Sequence, residues 1–427
     1  MFKNDLLTPK QYEIMFYLFK VRGANVFQII HYTTSVFGRP TNQSTTNRMY
    51  ELLNRLKAKN LVTITEVGQK KPSMYHLTQF GLEVMYEELE VENYKIGKGF
   101  NDDFGYFPYQ IYKPPTKAVK HFLNQTDVHT MVLNLQKKSA GIFDYRDNLY
   151  SKVSYEYPEG KKIIKGVYKP DGELRIDDDY YFIEVDRQTE RSTMLDQKFA
   201  NLHHYLTYLK KMNKKLPKGI IFIREETMRK EKRPYVWTTK TRYTNLFASF
   251  KKECKIYKES IDLLYFEIQN TQTVLIELLN ENKVDKLNGL SLLLNSFIKR
   301  NQSNICTISI SKEFGEDGFL LMAMEEENKR KLYMFSAMEG YESLNWQKGF
   351  TLYQSQKEYF HEIFFIPTYQ QLHTVSPESL YEKRVITKEE LDFYNHVHHL
   401  NITNIEKPLW FNHEHKEMID SPLLSFV

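Results

Sequence analysis

Three acidic residues in the middle of this 427-residue chain have the types and spacing needed to bind a divalent metal. Asp171 follows Pro170 in one predicted strand, and Glu184 and Asp186 flank Val185 at the end of the next. Because side chains alternate between the faces of a strand, Glu184 and Asp186 share a face. Carboxylate oxygens suit Mg²⁺ and Mn²⁺, and such a metal can activate water and stabilise a phosphoryl transition state. The three acids therefore predict a metal site for phosphodiester chemistry.

The sequence is consistent with two different environments for these acids. In the first they are solvated, since residues 171–180 form a turn rich in carboxylates. In the second, Glu184 and Asp186 leave a buried strand, because they follow the apolar residues 181–183, and an isolated charge there is costly without a partner or a metal. Candidate partners nearby in the sequence are Arg187, Glu190 and Lys198.

The segments around the acids predict an α/β domain with a mixed sheet. Apolar residues at helical spacing predict helices over 127–138 and 193–211, and the second helix carries Lys198. Strands are predicted within residues 147–157, 162–176, 180–190 and 219–223.

The first 90 residues predict a separate module of three helices and a hairpin. Thr8 and Pro9 are typical of a helix start, and Gly23 is typical of a helix end. The further elements are helices that begin near residues 26 and 44 and strands over residues 61–65 and 73–78. This is the element order of a winged helix-turn-helix module.

Charge is concentrated in this module. Residues 1–81 contain eleven Lys or Arg and four acids, a net charge of +7, whereas the whole chain has +5. The residues predicted to contact DNA lie on the polar face of the third helix and at the hairpin tip: Thr46, Asn47, Arg48, Arg55, Lys70 and Lys71. Such a helix enters the major groove while a cationic wing reaches phosphates. The alternative is a winged helix used only for protein contacts, and the helix predicted over 78–90 is a candidate for pairing two copies.

The predicted organisation is an α+β multidomain chain. Glycines and prolines gathered between residues 96 and 117 are typical of a linker. The predicted parts are a winged helix domain over 1–92, a linker over 93–117, an α/β domain over 118–260 and a C-terminal α/β region of unknown type over 261–427. Strands in the last region are predicted within 304–314, 318–326, 330–338 and 361–367.

Composition excludes several classes of protein. No apolar run approaches the roughly 20 residues that span a bilayer, so we expect a cytoplasmic protein with no membrane partner. The two cysteines are far apart in the sequence and predict neither a disulfide framework nor a cysteine zinc site.

The acids and their spacing resemble the PD-(D/E)XK nuclease core. The resemblance implies that Asp171 and Glu184 are catalytic and bind the metal, and that the residue two positions after Glu184 is also catalytic. That residue is Asp186 here, where the pattern has lysine. Lys198, on the following helix, is the candidate that supplies the missing cation. The implied cofactor is Mg²⁺ or Mn²⁺ if the core is catalytic, and none otherwise.

Over residues 8 to about 225 the chain resembles the replication-relaxation family, encoded on plasmids and mobile elements of Gram-positive bacteria. The segments that carry the resemblance are YHLTQFG, HFLNQTDVH, KPDGEL and EVDRQTE, in that order. It implies a DNA-binding protein involved in plasmid replication or relaxation. The implied partners are double-stranded plasmid DNA, a second copy of the chain, and replication or mobilisation proteins.

Two hypotheses follow for the function. In the first, a winged helix selects DNA and a metal-dependent core nicks or cleaves it. In the second, the protein is a non-catalytic regulator of transcription or replication, and its core only grips DNA or a partner protein.

Histidines near the C-terminus offer a further alternative. The string His396-Val397-His398 matches the His-hydrophobe-His pattern of rolling-circle relaxases, and His413 and His415 follow. The segment reads as a helix that runs into a loop rather than as a central strand, which favours a surface histidine cluster.

Overall fold

The computed structural model shows an α+β protein that divides into two compact units. Unit 1 comprises Met1–Tyr155 and Val167–Arg187, and unit 2 comprises Glu156–Gly166 and Gln188–Val427. The structure describes residues 7–35, 42–66, 73–92, 105–138, 143–186, 192–224, 235–280, 287–292, 308–311, 319–326, 329–338, 341–369, 375–401 and 409–412.

Unit 1 begins with three helices whose starts are fixed by side-chain caps. They are α1 (Pro9–Val21), α2 (Val26–Thr34) and α3 (Gln43–Ala58). Thr8 and Gln11 form a capping box at the start of α1, and Asn25 and Gln28 form another at the start of α2. These caps satisfy backbone N–H groups that have no partner inside the helix.

A small antiparallel sheet follows the three helices. Its strands are β1 (Val62–Thr65) and β2 (Met74–Leu77), and the helix α4 (Gln79–Glu88) comes next. On its other edge β2 pairs with the segment between α1 and α2, because Ala24 and Tyr75 exchange two backbone hydrogen bonds of 2.8 and 2.9 Å. The hairpin is thereby held against the helices.

Gly81 allows α4 to approach the end of α3 closely. A Cβ atom at this position would lie 2.0 Å from the carbonyl oxygen of Leu61. Only glycine fits this approach without a backbone shift.

The helix α6 (Val119–Lys138) extends the core of unit 1, after the short helix α5 (Tyr109–Tyr112). It starts eight residues before the predicted helix, because apolar residues continue its buried face upstream. Tyr17 Oη and Thr130 Oγ1 lie 2.6 Å apart, and Gln28 Nε2 donates to the carbonyl of Leu123 at 2.7 Å. The first helices and α6 therefore share one buried interior.

Five strands follow α6: β3 (Phe143–Asp147), β4 (Val153–Glu159), β5 (Lys162–Tyr168), β6 (Gly172–Ile176) and β7 (Asp179–Asp186). The strands β3, β6 and β7 form an antiparallel ladder in which Gly172 lies opposite both Asp147 and Ile183. The strands β4 and β5 form a separate two-stranded sheet. The single strand predicted over 162–176 is thus two strands, since proline at position 170 has no N–H for a ladder.

Unit 2 continues with α7 (Ser192–Lys211), β8 (Gly219–Arg224), α8 (Tyr235–Glu253), β9 (Asp262–Glu267) and, after a short 3₁₀ turn, α9 (Thr271–Asn280). The strands β8 and β9 are parallel, with Gly219 opposite Asp262. A parallel pair needs a crossover connection, which α8 supplies.

The C-terminal part of unit 2 has a second, mixed sheet. Its strands, in spatial order, are β10 (Ile308–Ser311), β11 (Phe319–Glu326), β12 (Lys329–Ala337), β14 (Glu362–Tyr369), β15 (His399–Asn401) and β16 (Leu409–Phe411). The strand β13 (Tyr341–Glu342) pairs with β9 instead. The helices of this part are α10 (Ser343–Gln356), α11 (Pro377–Glu382) and α12 (Lys388–Asn395). Each of the four strands predicted here is confirmed, with shifted ends.

None of the helices in the described ranges combines the length and the hydropathy that crossing a bilayer requires.

Candidate functional site

Asp171 lies immediately before β6, where α6 and β7 both reach it. Its Oδ2 accepts a hydrogen bond from the backbone N–H of Val185 at 2.8 Å. Its Oδ1 accepts from Gln125 Nε2 at 2.6 Å and lies 3.1 Å from His121 Nε2. Both oxygens of this carboxylate are therefore used inside the protein.

Glu184 and Asp186 lie on β7 and share one face of the strand. Their exposed fractions are 4% and 6%, so these two acids are not solvated. Each interacts with other groups of the chain. The expectation that Glu184 and Asp186 lie at the end of a buried strand is confirmed. The alternative, in which they are exposed to solvent, does not hold for these two acids.

Tyr145 on β3 lies within electrostatic reach of three carboxylates. Burial raises its pKa well above the usual range, and the negative charges of Asp147, Asp171 and Glu184 raise it further. Among the described residues its hydroxyl has no hydrogen-bond partner. The hydroxyl lies over Gly172, where a Cβ atom would be 2.2 Å away.

His129 on α6 packs against the same tyrosine. The ring centroids of His129 and Tyr145 are 4.4 Å apart. Burial lowers the pKa of His129 to about 3, with smaller contributions in the same direction from Lys20 and Arg22. The imidazole is therefore neutral at physiological pH and is part of the core.

A chain of polar contacts links Asp171 to the end of α1. Gln125, which donates to Asp171, accepts from Asn148 Nδ2 at 3.2 Å. Asn148 Oδ1 in turn accepts from Arg22 Nη2 at 2.8 Å. Arg22 also forms an ion pair with Asp147, and their side chains are 6% and 12% exposed. Asp171 is thus connected to the end of the first helix through partly buried hydrogen bonds.

Lys198, the predicted catalytic lysine, belongs to unit 2 rather than to unit 1. It lies on α7, and its Nζ is 5.5 Å from the ring centroid of Phe222. The structure brings Asp171 and Glu184 together around Tyr145, with Asp186 on the same face of β7 as Glu184.

The described residues around the three acids contain no larger cluster of metal-ligating side chains. In the ranges that the structure describes, no group of three or more histidine, cysteine, aspartate or glutamate side chains is placed to hold a metal ion. Both oxygens of Asp171 contact other groups of the protein, namely Gln125, His121 and the backbone N–H of Val185. The expected Mg²⁺ or Mn²⁺ site at the three acids therefore stays a prediction.

His121 and Gln125 are site residues that the sequence interpretation missed. They lie four positions apart on α6, which places them on one face, and their side chains are 2.9 Å apart. The signal was present in the segment HFLNQ, but nothing local indicates that this face meets Asp171, fifty residues later.

The polar face of α3 is the second candidate site. Asn47, Arg48 and Arg55 are exposed, as predicted. Within the described ranges, neither arginine side chain has a hydrogen bond or an ion pair, and Asn47 contacts Gln43 of the same helix at 3.1 Å. This face therefore has donors and positive charge directed to solvent.

Thr46 does not belong to this face, and its prediction as a DNA contact is wrong. Its exposed fraction is 8%. Thr46, Met49, Leu53 and Leu56 are all buried, at the i, i+3, i+7 and i+10 spacing of one helical stripe. The predicted contacts Lys70 and Lys71 lie outside the described residues, between β1 and β2.

The histidine string near the C-terminus is not on a central strand. His396 follows α12 directly, and Val397 forms an isolated bridge with Phe365. The ring of His398 packs on Phe364, with centroids 5.1 Å apart. The expected helix running into a loop is confirmed, while His413 and His415 lie outside the described residues.

The comparisons with known proteins assign no family. No protein-family model matches the chain, and no curated protein matches it. Among solved structures, protein VC1899 from Vibrio cholerae is similar at 11% identity and a TM-score of 0.23. The match covers 65% of this chain and 57% of that one, so the chain spans little more than half of its length. A TM-score this low supports no argument about fold or function, and the resemblance to the replication-relaxation family stays a prediction.

Proposed function

We propose that the protein binds double-stranded DNA through the helices and hairpin at the start of unit 1. The observation that carries the proposal is the exposed face of α3 with Asn47, Arg48 and Arg55. Its arginines have no acidic partner among the described residues, so their charge is available to phosphates or bases.

The element order around α3 supports this proposal. The helices α1, α2 and α3 and the strands β1 and β2 follow one another as in a winged helix-turn-helix module, with an isolated bridge at Ala24 between α1 and α2. In that module the helix after the turn enters the major groove, where arginine can donate two hydrogen bonds to guanine. The hairpin would present Lys70 and Lys71 to the adjacent phosphates.

The proposed biological setting is plasmid or mobile-element DNA, with a role in replication or relaxation. It rests on the resemblance of residues 8 to about 225 alone. A homodimer and contacts with replication or mobilisation proteins belong to the same proposal.

Fluorescence anisotropy with a labelled DNA duplex tests DNA binding. We expect Arg48→Gln and Arg55→Gln each to weaken binding by roughly tenfold, since one good arginine contact contributes about 1–3 kcal/mol. The matched control removes the same charge elsewhere in unit 1, at the exposed Lys113 and Lys117. Equal affinities for wild type, arginine variants and controls would contradict the proposal.

Metal-dependent DNA cleavage is a second candidate function. It is favoured by the burial of Glu184 and Asp186 beside Asp171. The order α6, β3, β6, β7, α7, β8, with β4 and β5 inserted, also resembles that of the PD-(D/E)XK core. In that core the catalytic residues would be Asp171, Glu184 and Asp186, with Lys198 in place of the motif lysine, and the ion would be Mg²⁺ or Mn²⁺.

Supercoiled plasmid incubated with Mg²⁺ or Mn²⁺ tests this candidate. A nuclease would nick or linearise the plasmid, and Asp171→Asn and Glu184→Gln would abolish the reaction while DNA binding persists. If wild type binds the plasmid and leaves it intact with both metals, the non-catalytic regulator is the correct alternative.

A further inference from the structure

A second concentration of positive charge lies in unit 2, far along the chain from α3. We call it the lysine patch: the exposed residues Lys161, Lys162, Lys165, Lys210, Lys211, Lys214, Lys215 and Lys218. Residues 156–166 and 208–218 contain these eight lysines and only two acids, Glu156 and Glu159, which gives a net charge of +6. That exceeds the net charge of the whole chain, which is +5. Positive charge is therefore segregated rather than spread evenly.

Contacts inside unit 2 bring the two halves of the patch together. Lys211 Nζ, at the end of α7, donates to the carbonyl of Pro158 and lies 4.7 Å from the ring centroid of Tyr157. The hydroxyl of Tyr157 is 2.8 Å from His204 Nδ1, about two turns before the end of α7. The tip of the β4–β5 sheet is thus packed on the last turns of α7, and its lysines join those of the helix end.

The helix dipole does not explain most of these lysines. Asn213 has a positive φ of 52°, and Lys214 N donates to the carbonyl of Leu209 at 2.9 Å, which closes the end of α7. Lys210 and Lys211 lie in the last turn, where a cation complements the dipole. Lys214, Lys215 and Lys218 follow the helix end, and Lys161, Lys162 and Lys165 lie on the β4–β5 hairpin, so none of these six is in the last turn of α7.

Internal ion pairing leaves several lysines of the patch unexplained. Lys165 pairs with Glu156 at 3.0 Å, and both side chains are about two thirds exposed. Within the described ranges, Lys161, Lys162 and Lys210 have no acidic partner. Like charges held this close repel one another, and an anionic ligand relieves the repulsion.

We propose that the lysine patch binds the phosphodiester backbone of double-stranded DNA as a second, sequence-independent contact. The inference rests on the proposed function, because it assigns a further surface to the same ligand. Lysine is a compact cation without the planar fork that reads bases, so the patch suits phosphates. An anionic membrane fits less well as the ligand. Within the described residues 156–166 and 208–218, only Ile163 and Met212 are large apolar side chains exposed to solvent.

The test compares two triple variants of the full-length protein. The patch variant carries Lys161→Gln, Lys162→Gln and Lys210→Gln. The control variant carries Lys255→Gln, Lys329→Gln and Lys357→Gln, three exposed lysines of unit 2 outside the patch. Both lose three charges from surface positions, and circular dichroism and the thermal midpoint verify that both remain folded.

We expect the patch variant to bind a duplex of arbitrary sequence at least about tenfold more weakly than wild type near 0.1 M salt. The slope of log Kd against log salt should fall by about 2–3, because each phosphate contact contributes about 0.9. The control variant should change by about twofold or less.

Failure of this inference is distinguishable from failure of the proposed function. If Arg48→Gln and Arg55→Gln weaken binding but the patch variant equals its control, the patch is not a DNA contact and α3 is. If the arginine variants bind like wild type while the patch variant does not, the proposed role of α3 is wrong and the patch inference survives. If the patch variant keeps its DNA affinity but loses binding to phosphatidylserine vesicles that wild type shows, the ligand is a membrane and the inference is overturned.

Discussion

Unit 1 contains two charged regions that differ in their exposure to solvent and in the partners that the protein supplies. On α3, Arg48 and Arg55 are exposed and, in the described part of the chain, have no partner. Around β3 and β6, Arg22 is 5% exposed and is held by Asp147, Asn148 and the carbonyl of Tyr112. Arginine thus occurs in two different environments within one compact unit: exposed to solvent on α3, and buried with partners at position 22.

The difference indicates which charges belong to the fold and which are available to a ligand. A buried charge is stable only when the protein supplies its partners, so its removal should damage folding. An exposed charge contributes little to folding, so its removal should damage binding alone. The predictions below test this division, and they run from the largest expected effect on stability to the smallest.

Replacing Arg22 with leucine should destabilise the protein by about 3–5 kcal/mol, because the buried carboxylate of Asp147 loses its counter-charge. Denaturant unfolding followed by circular dichroism measures the change. The matched control is Arg55→Leu on α3, for which we expect less than about 0.5 kcal/mol. Adding Asp147→Leu to Arg22→Leu should restore part of the loss, and similar effects for Arg22→Leu and Arg55→Leu would remove the proposed distinction.

Acid should destabilise the protein through His129. Its pKa is about 3 in the folded protein and near 6.5 when unfolded, so below pH 6.5 the unfolded state takes up a proton that the folded state does not. The stability is present in full above pH 6.5 and is lost as the pH falls towards 3. Between pH 7 and pH 5 this residue should account for about 2 kcal/mol.

The measurement for His129 is the unfolding free energy at pH 7 and pH 5 for wild type and His129→Leu. Other groups titrate in the same range, so the relevant quantity is the difference between the two proteins. The variant should lose about 2 kcal/mol less than wild type over this interval. Equal losses would mean that the histidine is accessible to protons in the folded state.

Tyr145→Phe should leave stability unchanged or raise it by up to about 1 kcal/mol, because it removes a buried hydroxyl with no partner among the described residues. Thermal unfolding measures this effect. The steric control is Gly172→Ala, which pushes a methyl group into the same hydroxyl and should cost about 1–3 kcal/mol. A loss above about 1 kcal/mol for Tyr145→Phe would show that the hydroxyl has a partner, such as a water or an ion held by the acids.

Features with a local signal could be predicted from the sequence. The helix starts at Thr8 and near Ser44, the buried stripe of α3, and the burial of Glu184 and Asp186 all follow from residue types a few positions apart. The prediction that Thr46 is exposed was wrong because threonine is found on both the buried and the exposed face of helices. Only the packing of α3 decides which face it occupies. The prediction of exposed arginines on α3 succeeded because Arg48 and Arg55 lie outside the stripe formed by Met49, Leu53 and Leu56.

Features that depend on distant residues could not be predicted. Arg22 and Asp147 are 125 residues apart, and His121 and Asp171 are fifty apart. No periodicity links such pairs, because their contact results from how α6 packs between α1 and the ladder of β3 and β6. The partners of the two strands within 162–176 depend on distant residues in the same way, since β6 pairs with β3 and β7, while β5 pairs with β4.

The most direct test of the central claim is one double variant, Arg48→Gln with Arg55→Gln, measured in two ways. Anisotropy gives its affinity for duplex DNA, and denaturant unfolding gives its stability. Binding should fall by at least about a hundredfold while the unfolding free energy stays within about 0.5 kcal/mol of wild type. Unchanged DNA affinity, or a loss of affinity explained by unfolding, would contradict the claim that this face of α3 binds DNA.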